Sequence, residues 1–376
     1  MFESYLFPIR YAFLSFPIAA ALFTMPFLVV QYRRHGYIHL YRAFMLYLLL
    51  LYLLNALFLV ILPLPASVHN DPPSSGSYAQ WIPFHFVSDI VRETAVQADQ
   101  PSTYGRLFAE RAFLQAAFNV LLTAPFGMFL RCYFRVRPAT CLAAGLGLSL
   151  FFEITQVTGL YGIFDYPYRL FDVDDLLTNA AGGMLGFAAA AWLSAHLPRA
   201  DRLDERVDLA KKRVSYTRRA VAFALDGFVL LPALAALAAF RIPLAFPLLA
   251  AAYSIVLPCA AGGRTIGKWA VRIRLQERGE NVQARGFLIR YGLLYGPAAV
   301  IPALAGSGIP PLAIGLYMLA VMAYYAVFAG DLLRCLLNRR RKPFYEALSG
   351  TGHVIDLARI ARKNARTAAS STVSQA

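Results

Sequence analysis

Charged side chains are scarce in this chain. They make up 15% of its residues, where soluble domains carry about 25%, and acids are scarcer still, 21 against 36 Lys and Arg. So little charge argues against a soluble or disordered chain, since neither would keep its surface in water. Cysteine is also rare: Cys132, Cys141, Cys259 and Cys335 are too few for a disulfide-built scaffold. Catalytic signatures are missing. His35 and His39 are spaced i, i+4 without the Glu of H-E-x-x-H, and no G-x-S-x-G elbow occurs. "GGRTIGK" (Gly262 to Lys268) lacks the phosphate-loop frame and has Trp269 where a hydroxyl is needed.

Apolar residues are abundant instead, at 59% and a mean hydropathy of +0.52. Stretches near the roughly 20 residues that a spanning helix needs fall at 12–31, 43–63, 112–131, 139–158, 176–196, 219–240, 243–261, 287–305 and 311–330. The pair flanking Arg241 also reads as one broken hairpin, and the first stretch reads as a retained span. With the N-terminus outside, 30 of the 36 Lys and Arg fall on inner segments, as the positive-inside rule requires. The expectation is an all-α fold: a polytopic integral membrane helical bundle of about nine transmembrane helices in a five-plus-four arrangement, N-out and C-in. The place expected for it is a bacterial-type cytoplasmic membrane. The cysteines then lie near the inner, reducing side. Basic loops against anionic lipids account for the net charge of +15, so membrane lipids are expected partners and nucleic acid is not.

The organisation follows from composition. Residues 1–197 form a first membrane domain with an outer loop at about 64–111. Residues 198–218, "PRADRLDERVDLAKKRVSYTR", read as a charged cytoplasmic linker. Residues 219–356 form a second membrane domain, and 357–376 a disordered tail. The outer loop opens with the turn-rich "NDPPSSGS" and continues "WIPFHFVSDIVRE". Its Trp81, Phe84 and Phe86 suit an interfacial anchor or a cap facing a substrate.

Polar residues inside spans are costly enough to face a bundle interior or an aqueous cavity. "RLFDVDDLLTNAAGGMLGF" (Arg169 to Phe187) places Asp172, Asp175 and Asn179 at i, i+3, i+7, on one helix face, with Asp174 elsewhere. Asp172 and Asp175 also suit helix capping. "SLFFEITQVTG" adds Ser149, Glu153 and Gln156, and "RAFLQAAFNVLLTAPFG" sets Arg111, Gln115, Asn119 and Thr123 four residues apart. Three spans thus bring polar stripes to one outer level, with Arg111 or Arg169 available to pair with Glu153, Asp172 or Asp175.

The order "WIPF", "NVLLTAPFGMFL", "FEITQ", "RLFDVDDLLTNAAGGMLG" resembles the VanZ-like family over most of the first half. The resemblance singles out Asn119, Pro125, Gly127, Glu153, Gln156, Arg169, Asp172, Asp174, Asp175 and Asn179. It implies an association with reduced susceptibility to the glycopeptide teicoplanin, without implying a molecular activity.

The second half opens "RRAVAFALDGFVLL", with Arg219 and Asp226 two turns apart on one face. With "GRTIGKWAVRIRL" and Arg290 it resembles the RDD family. "FYEALSGT" departs from that pattern, having Glu346 where the family usually carries Asp; Asp331 is another acid nearby. Some members of that family have been linked to sodium/proton exchange.

Three functions are open at this point. One is the binding of a cell-wall precursor headgroup or envelope polymer by the outer cluster. Another is a cation- or proton-coupled secondary transporter using Glu153, Asp226 and the Asp172/Asp175 pair. The third is an outer-facing hydrolase or transferase in which carboxylates bind Mg²⁺ or Ca²⁺. No catalytic residue, metal or cofactor is assigned, and the sequence leans away from an enzyme.

Overall fold

The computed structural model describes residues 2–72, 77–94, 96–97, 99–193, 207–209, 212–240, 244–277, 280–304, 308–338 and 341–356. The tail expected over 357–376, Arg241 and most of the first half of the linker lie outside the described residues.

The chain is all-α, with two short strand pairs. It runs through α1 (Phe2–Arg34), α2 (Leu40–Ile61), β1 (Ala79–Gln80), α3 (His85–Glu93), a 3-10 segment (Pro101–Ala109), α4 (Arg111–Cys132), α5 (Pro138–Val157), the single turn α6 (Gly159–Gly162), β2 (Phe171–Asp172) and α7 (Val173–Leu193). It continues with α8 (Tyr216–Ala239), α9 (Ala245–Ala251), a π-helical turn (Ala252–Val256), α10 (Leu257–Ala260), α11 (Ile266–Ala270), β3 (Ile273–Glu277), α12 (Ala284–Ala299), α13 (Ile301–Leu304), α14 (Pro311–Leu337), α15 (Phe344–Ser349) and β4 (Thr351–Ile355).

Six helices are long and apolar enough to cross a membrane: Leu6–Arg34, Leu40–Ile61, Arg111–Cys132, Pro138–Val157, Tyr216–Ala239 and Pro311–Leu337. The other three expected spans take different forms. The stretch at 176–196 is α7, which is rich in Gly and Ala. That at 243–261 becomes Ala245–Ala260, interrupted by the π turn. That at 287–305 is divided between α12, of 16 residues, and α13. A helix of this length rises about 24 Å, short of a hydrocarbon core of about 30 Å.

The residues gather into two compact units: Met1–Phe23 with His39–Glu205, and Thr24–Ile38 with Arg206–Ala376. The helix α1 therefore contributes its first part to one unit and its remainder to the other. In the second unit Tyr32, Val214, Val221, Ala222, Val271 and Ile273 form a buried apolar cluster.

Local sequence sets the ends of these elements. Pro138 opens α5, where its missing N–H costs nothing. The Ser215 hydroxyl caps α8 by accepting the Arg218 N–H, and Thr265 caps α11 by accepting that of Lys268. In the first unit, β1 pairs in parallel with β2, Gln80 opposite Asp172. In the second, β3 and β4 form an antiparallel pair from Ile273↔Ile355 to Glu277↔Thr351.

In the first unit α4 and α7 run in the same direction, and small residues bring their backbones together. A Cβ on Gly127 would strike the carbonyl of Gly183, one on Gly182 that of Val120, and one on Gly186 that of Ala124. A Cβ on Gly183 would meet nothing. Gly186→Ala is therefore expected to cost about 1–3 kcal/mol or more through overpacking, while Gly183→Ala is neutral or gains up to about 1 kcal/mol by replacing a helix-interior glycine. Melting of the detergent-solubilised protein measures both; equal melting temperatures would refute the close approach.

Candidate functional site

The first cluster lies at the end of the first unit where α5 stops and α4 and α7 begin. Glu153, on the last turns of α5, is 2% exposed. Its Oε2 accepts the backbone N–H of Asp172 at 3.0 Å. Asp172 lies just ahead of α7, and its Oδ1 accepts the Asp174 N–H at 2.9 Å. It thereby caps a helix start whose first N–H groups have no intrahelical acceptor. Asp174 turns to the start of α3, where its two oxygens accept the N–H groups of Phe84, the N-cap, and Phe86. Asp175 faces α4 and accepts the Asn119 amide at 2.6 Å.

Neutral groups complete the arrangement. Ser149 donates to the Asp175 carbonyl at 3.1 Å and accepts from the Asn179 amide at 2.9 Å. Thr123 donates to the Asn179 carbonyl at 2.7 Å. Gln156 donates to the Val60 carbonyl on α2 at 2.8 Å. The Asn179 Oδ1 is buried with no hydrogen-bond partner among the described residues. The polar faces of α4, α5 and α7 therefore converge.

The expected guanidinium pairing is absent. Arg111 and Arg169 are exposed, and neither forms an ion pair with Glu153, Asp172 or Asp175. Backbone N–H groups at the start of α7 and the Asn119 amide stand closer and take those oxygens instead. Arg169 lines a separate cavity of about 310 Å³ with Asn70, Asp71 and Tyr168. Among the described residues no three His, Cys, Asp or Glu side chains are grouped so as to hold a metal ion. The aromatic loop is open to its surroundings: Trp81 is 69% exposed and packs against Phe171 with ring centroids 5.0 Å apart.

The second unit holds two hubs. At one, Glu346 on α15 offers a single oxygen, Oε1, to Arg219 of α8 at 3.0 Å, Arg290 of α12 at 3.2 Å and His353 of β4 at 2.9 Å. Arg290 also donates to the Thr351 hydroxyl at 2.8 Å. Burial alone would push the Glu346 carboxyl up, but the hydrogen bond from His353 and the guanidiniums of Arg290 and Arg219 hold it below the usual carboxylate range. Burial, with Arg290 and Arg219 beside it, holds His353 well below its ordinary value. The imidazole is thus neutral, and since an ionised carboxylate only accepts, its Nδ1 carries the proton.

At the other hub Asp226 accepts the Tyr253 hydroxyl at 2.6 Å, the Thr265 hydroxyl at 2.7 Å and the Gly267 N–H at 2.6 Å. Arg219 and Asp226, expected on one face, belong to different hubs. Asp331 joins neither; its Oδ2 accepts the N–H of Phe344, the first residue of α15, at 2.9 Å.

Several residues here carry more structure than the sequence reading gave them. Arg218 is 1% exposed and donates to the carbonyls of Val271, Gly36 and Arg272. Its spacing of i, i+4, i+8 with Ala222 and Asp226 was the available signal. His353 and Thr265 came from segments without a helical pattern to point to them, and Tyr253 from an expected span whose register the π turn shifts. Lys268, read only against the phosphate-loop frame, is buried beside Asp226.

Residues 44–194, well under half of the chain, match the VanZ/LLP1 family model. This stretch is similar to that family, and it contains every residue of the first cluster. No curated protein and no solved structure matches the chain. The comparisons give no support to the RDD resemblance of the second half.

Two outcomes follow from this geometry. Asp174→Ala strands two backbone donors at the start of α3, so tryptic cleavage after Arg92, in the last turn of that helix, is expected to rise about tenfold; an unchanged rate would mean the helix is held elsewhere. In the second unit Glu346 and His353 both bind fewer protons folded than unfolded during acidification, so stability is lost as pH falls. The melting temperature of the solubilised protein is expected to decline from about pH 6.5 downward, and His353→Gln to remove the upper part of that decline. A parent curve flat between pH 7 and 4 would contradict it.

Proposed function

We propose that the first unit binds the polar headgroup of a cell-wall precursor or an envelope polymer and in this way lowers the access of glycopeptides of the teicoplanin type. The binding set is Arg111, Asn119, Glu153, Gln156, Arg169, Asp172, Asp174, Asp175 and Asn179. The carrying observation is that Glu153, Asp172 and Asp175 gather at the start of α7, Glu153 on the backbone of Asp172 itself, each held through one oxygen by a neutral donor and none in an ion pair, with Arg169 acting on Glu153 and Asp175 only at a distance. Charge-assisted hydrogen bonds to hydroxyl or ammonium groups of a ligand are strong in such surroundings. The match of residues 44–194 to the VanZ/LLP1 model supports the same reading, because that resemblance implies glycopeptide resistance.

In this reading the chain sits in a bacterial-type cytoplasmic membrane, N-out and C-in, with α7 and the two short second-half elements completing nine membrane-inserted segments. The cluster then faces outward, Trp81 and Phe84 flank the ligand, and residues 219–356 form an RDD-like inner module.

The test compares teicoplanin susceptibility and surface binding of labelled teicoplanin in cells expressing the parent, Glu153→Gln or Asp175→Asn at matched membrane levels. The parent is expected to protect, and each variant to lose most of that protection, since a charge-assisted hydrogen bond is worth about tenfold or more in binding. Protection retained by both variants would overturn the assignment to this cluster. A parent without effect would overturn the resistance role and turn attention to cation flux with Asp226→Asn.

A further inference from the structure

The second unit encloses a cavity of about 730 Å³, a volume typical of pockets for small organic ligands. It follows α8 from Tyr216 to Leu234, a length of about 27 Å at the helical rise. Its character changes along that length. Beside the first half of α8 the wall carries Arg219, Asp226, Lys268, Arg290 and Tyr291; beside the second half it carries Leu230, Leu231, Leu234, Phe246 and Leu249. Phe223 and Leu231 line the cavity and are also 67% and 66% exposed, so the wall opens sideways to whatever surrounds α8. Since α8 is long and apolar enough to span a bilayer, those surroundings are hydrocarbon.

The charges around the polar end do not cancel. Arg219, Arg290 and Lys268 are cationic, Asp226 and Glu346 anionic, and one positive charge is left over. Glu346 serves both guanidiniums through one oxygen. The Arg219 Nε is buried without a hydrogen-bond partner among the described residues. Lys268 is 7% exposed. Its Nζ reaches two neutral hydroxyls, of Thr265 at 3.2 Å and Tyr291 at 3.1 Å, which leaves a third proton to give. The Thr265 hydroxyl donates its own hydrogen bond to Asp226 at 2.7 Å, so the ammonium and that carboxylate meet only through a hydroxyl. A buried excess cation is costly unless an anion joins it.

We propose that this cavity takes an anionic amphiphile from the bilayer, its head between Arg219 and Lys268 and its alkyl chain along Leu230, Leu234 and Leu249. The head is a phosphate or carboxylate carrying one negative charge. Each half of the cavity accounts for one half of such a molecule, and the lateral opening admits it without passage through water. This site is separate from the acid cluster of the first unit and its occupation does not depend on that cluster's role.

The test is lipid titration of the full-length protein in dodecylmaltoside, read by native mass spectrometry, with dioleoyl phosphatidylglycerol, dioleoyl phosphatidylcholine and inorganic phosphate as probes. Phosphatidylglycerol is expected to bind about tenfold or more tightly than phosphatidylcholine. Lys268→Gln should abolish that preference. Leu234→Trp, which fills the apolar half and leaves every charge in place, should weaken both lipids about equally. Equal binding of the two lipids by the parent would overturn the anionic head. Displacement of phosphatidylglycerol by inorganic phosphate at similar concentration would overturn the alkyl chain and leave a free-anion site. Undiminished binding to Leu234→Trp would place the lipid outside the cavity.

Discussion

Everything in the first unit depends on how closely α4 and α7 approach. Helices in hydrocarbon gain nothing from the hydrophobic effect when they pair, so contact has to come from packing and hydrogen bonds. Gly127, Gly182 and Gly186 remove the side chains that would hold the two backbones apart. Only at that separation can the short side chain of Asn119 reach Asp175, and Thr123 the carbonyl of Asn179. The glycines make no polar contact with the acid cluster, yet its geometry rests on them.

The two units solve the problem of buried charge differently. In the first, carboxylates gather at a helix start and are held by backbone N–H groups and an amide, with Arg169 acting on them only at a distance and in no ion pair. In the second, cations outnumber anions, and one carboxylate oxygen is divided among two guanidiniums and an imidazole. Acceptors in excess suit a ligand that donates; cations in excess suit a ligand that is an anion. The contrast matches the different chemistries assigned to the two places.

The membrane character and the all-α fold were legible because hydropathy reports directly on burial in lipid. So was the meeting of Asn119, Glu153, Asp175 and Asn179, since each polar stripe follows a helical period. The partners of those acids were not legible. Arg111 and Arg169 were the obvious counter-charges in the sequence, but a one-dimensional reading gives no distance, and the free N–H groups of α7 stood closer. Asp174 was set apart because helical spacing takes it off the face of Asp172 and Asp175, and its partners, the N–H groups of Phe84 and Phe86 at the start of α3, belong to a short helix that no apolar run announces. The same limit hid the second unit's hubs: Tyr253 sits on a π turn that breaks the helical register, and His353 and Thr351 lie on a strand pair that joins distant segments. Six of the nine expected spans take the form of a long apolar helix, whereas at 243–261 and 287–305 the apolar stretch is interrupted by a π turn or divided between two helices.

The convergence on Glu346 also ties together segments far apart in the chain. Arg219 and Arg290 are synthesised 127 and 56 residues before it, and neither has another carboxylate within ion-pair distance among the described residues. Only α15 and β4, the later segments, bring Glu346 to these two guanidiniums, so the carboxylate that joins α8 to α12 is supplied from outside both helices.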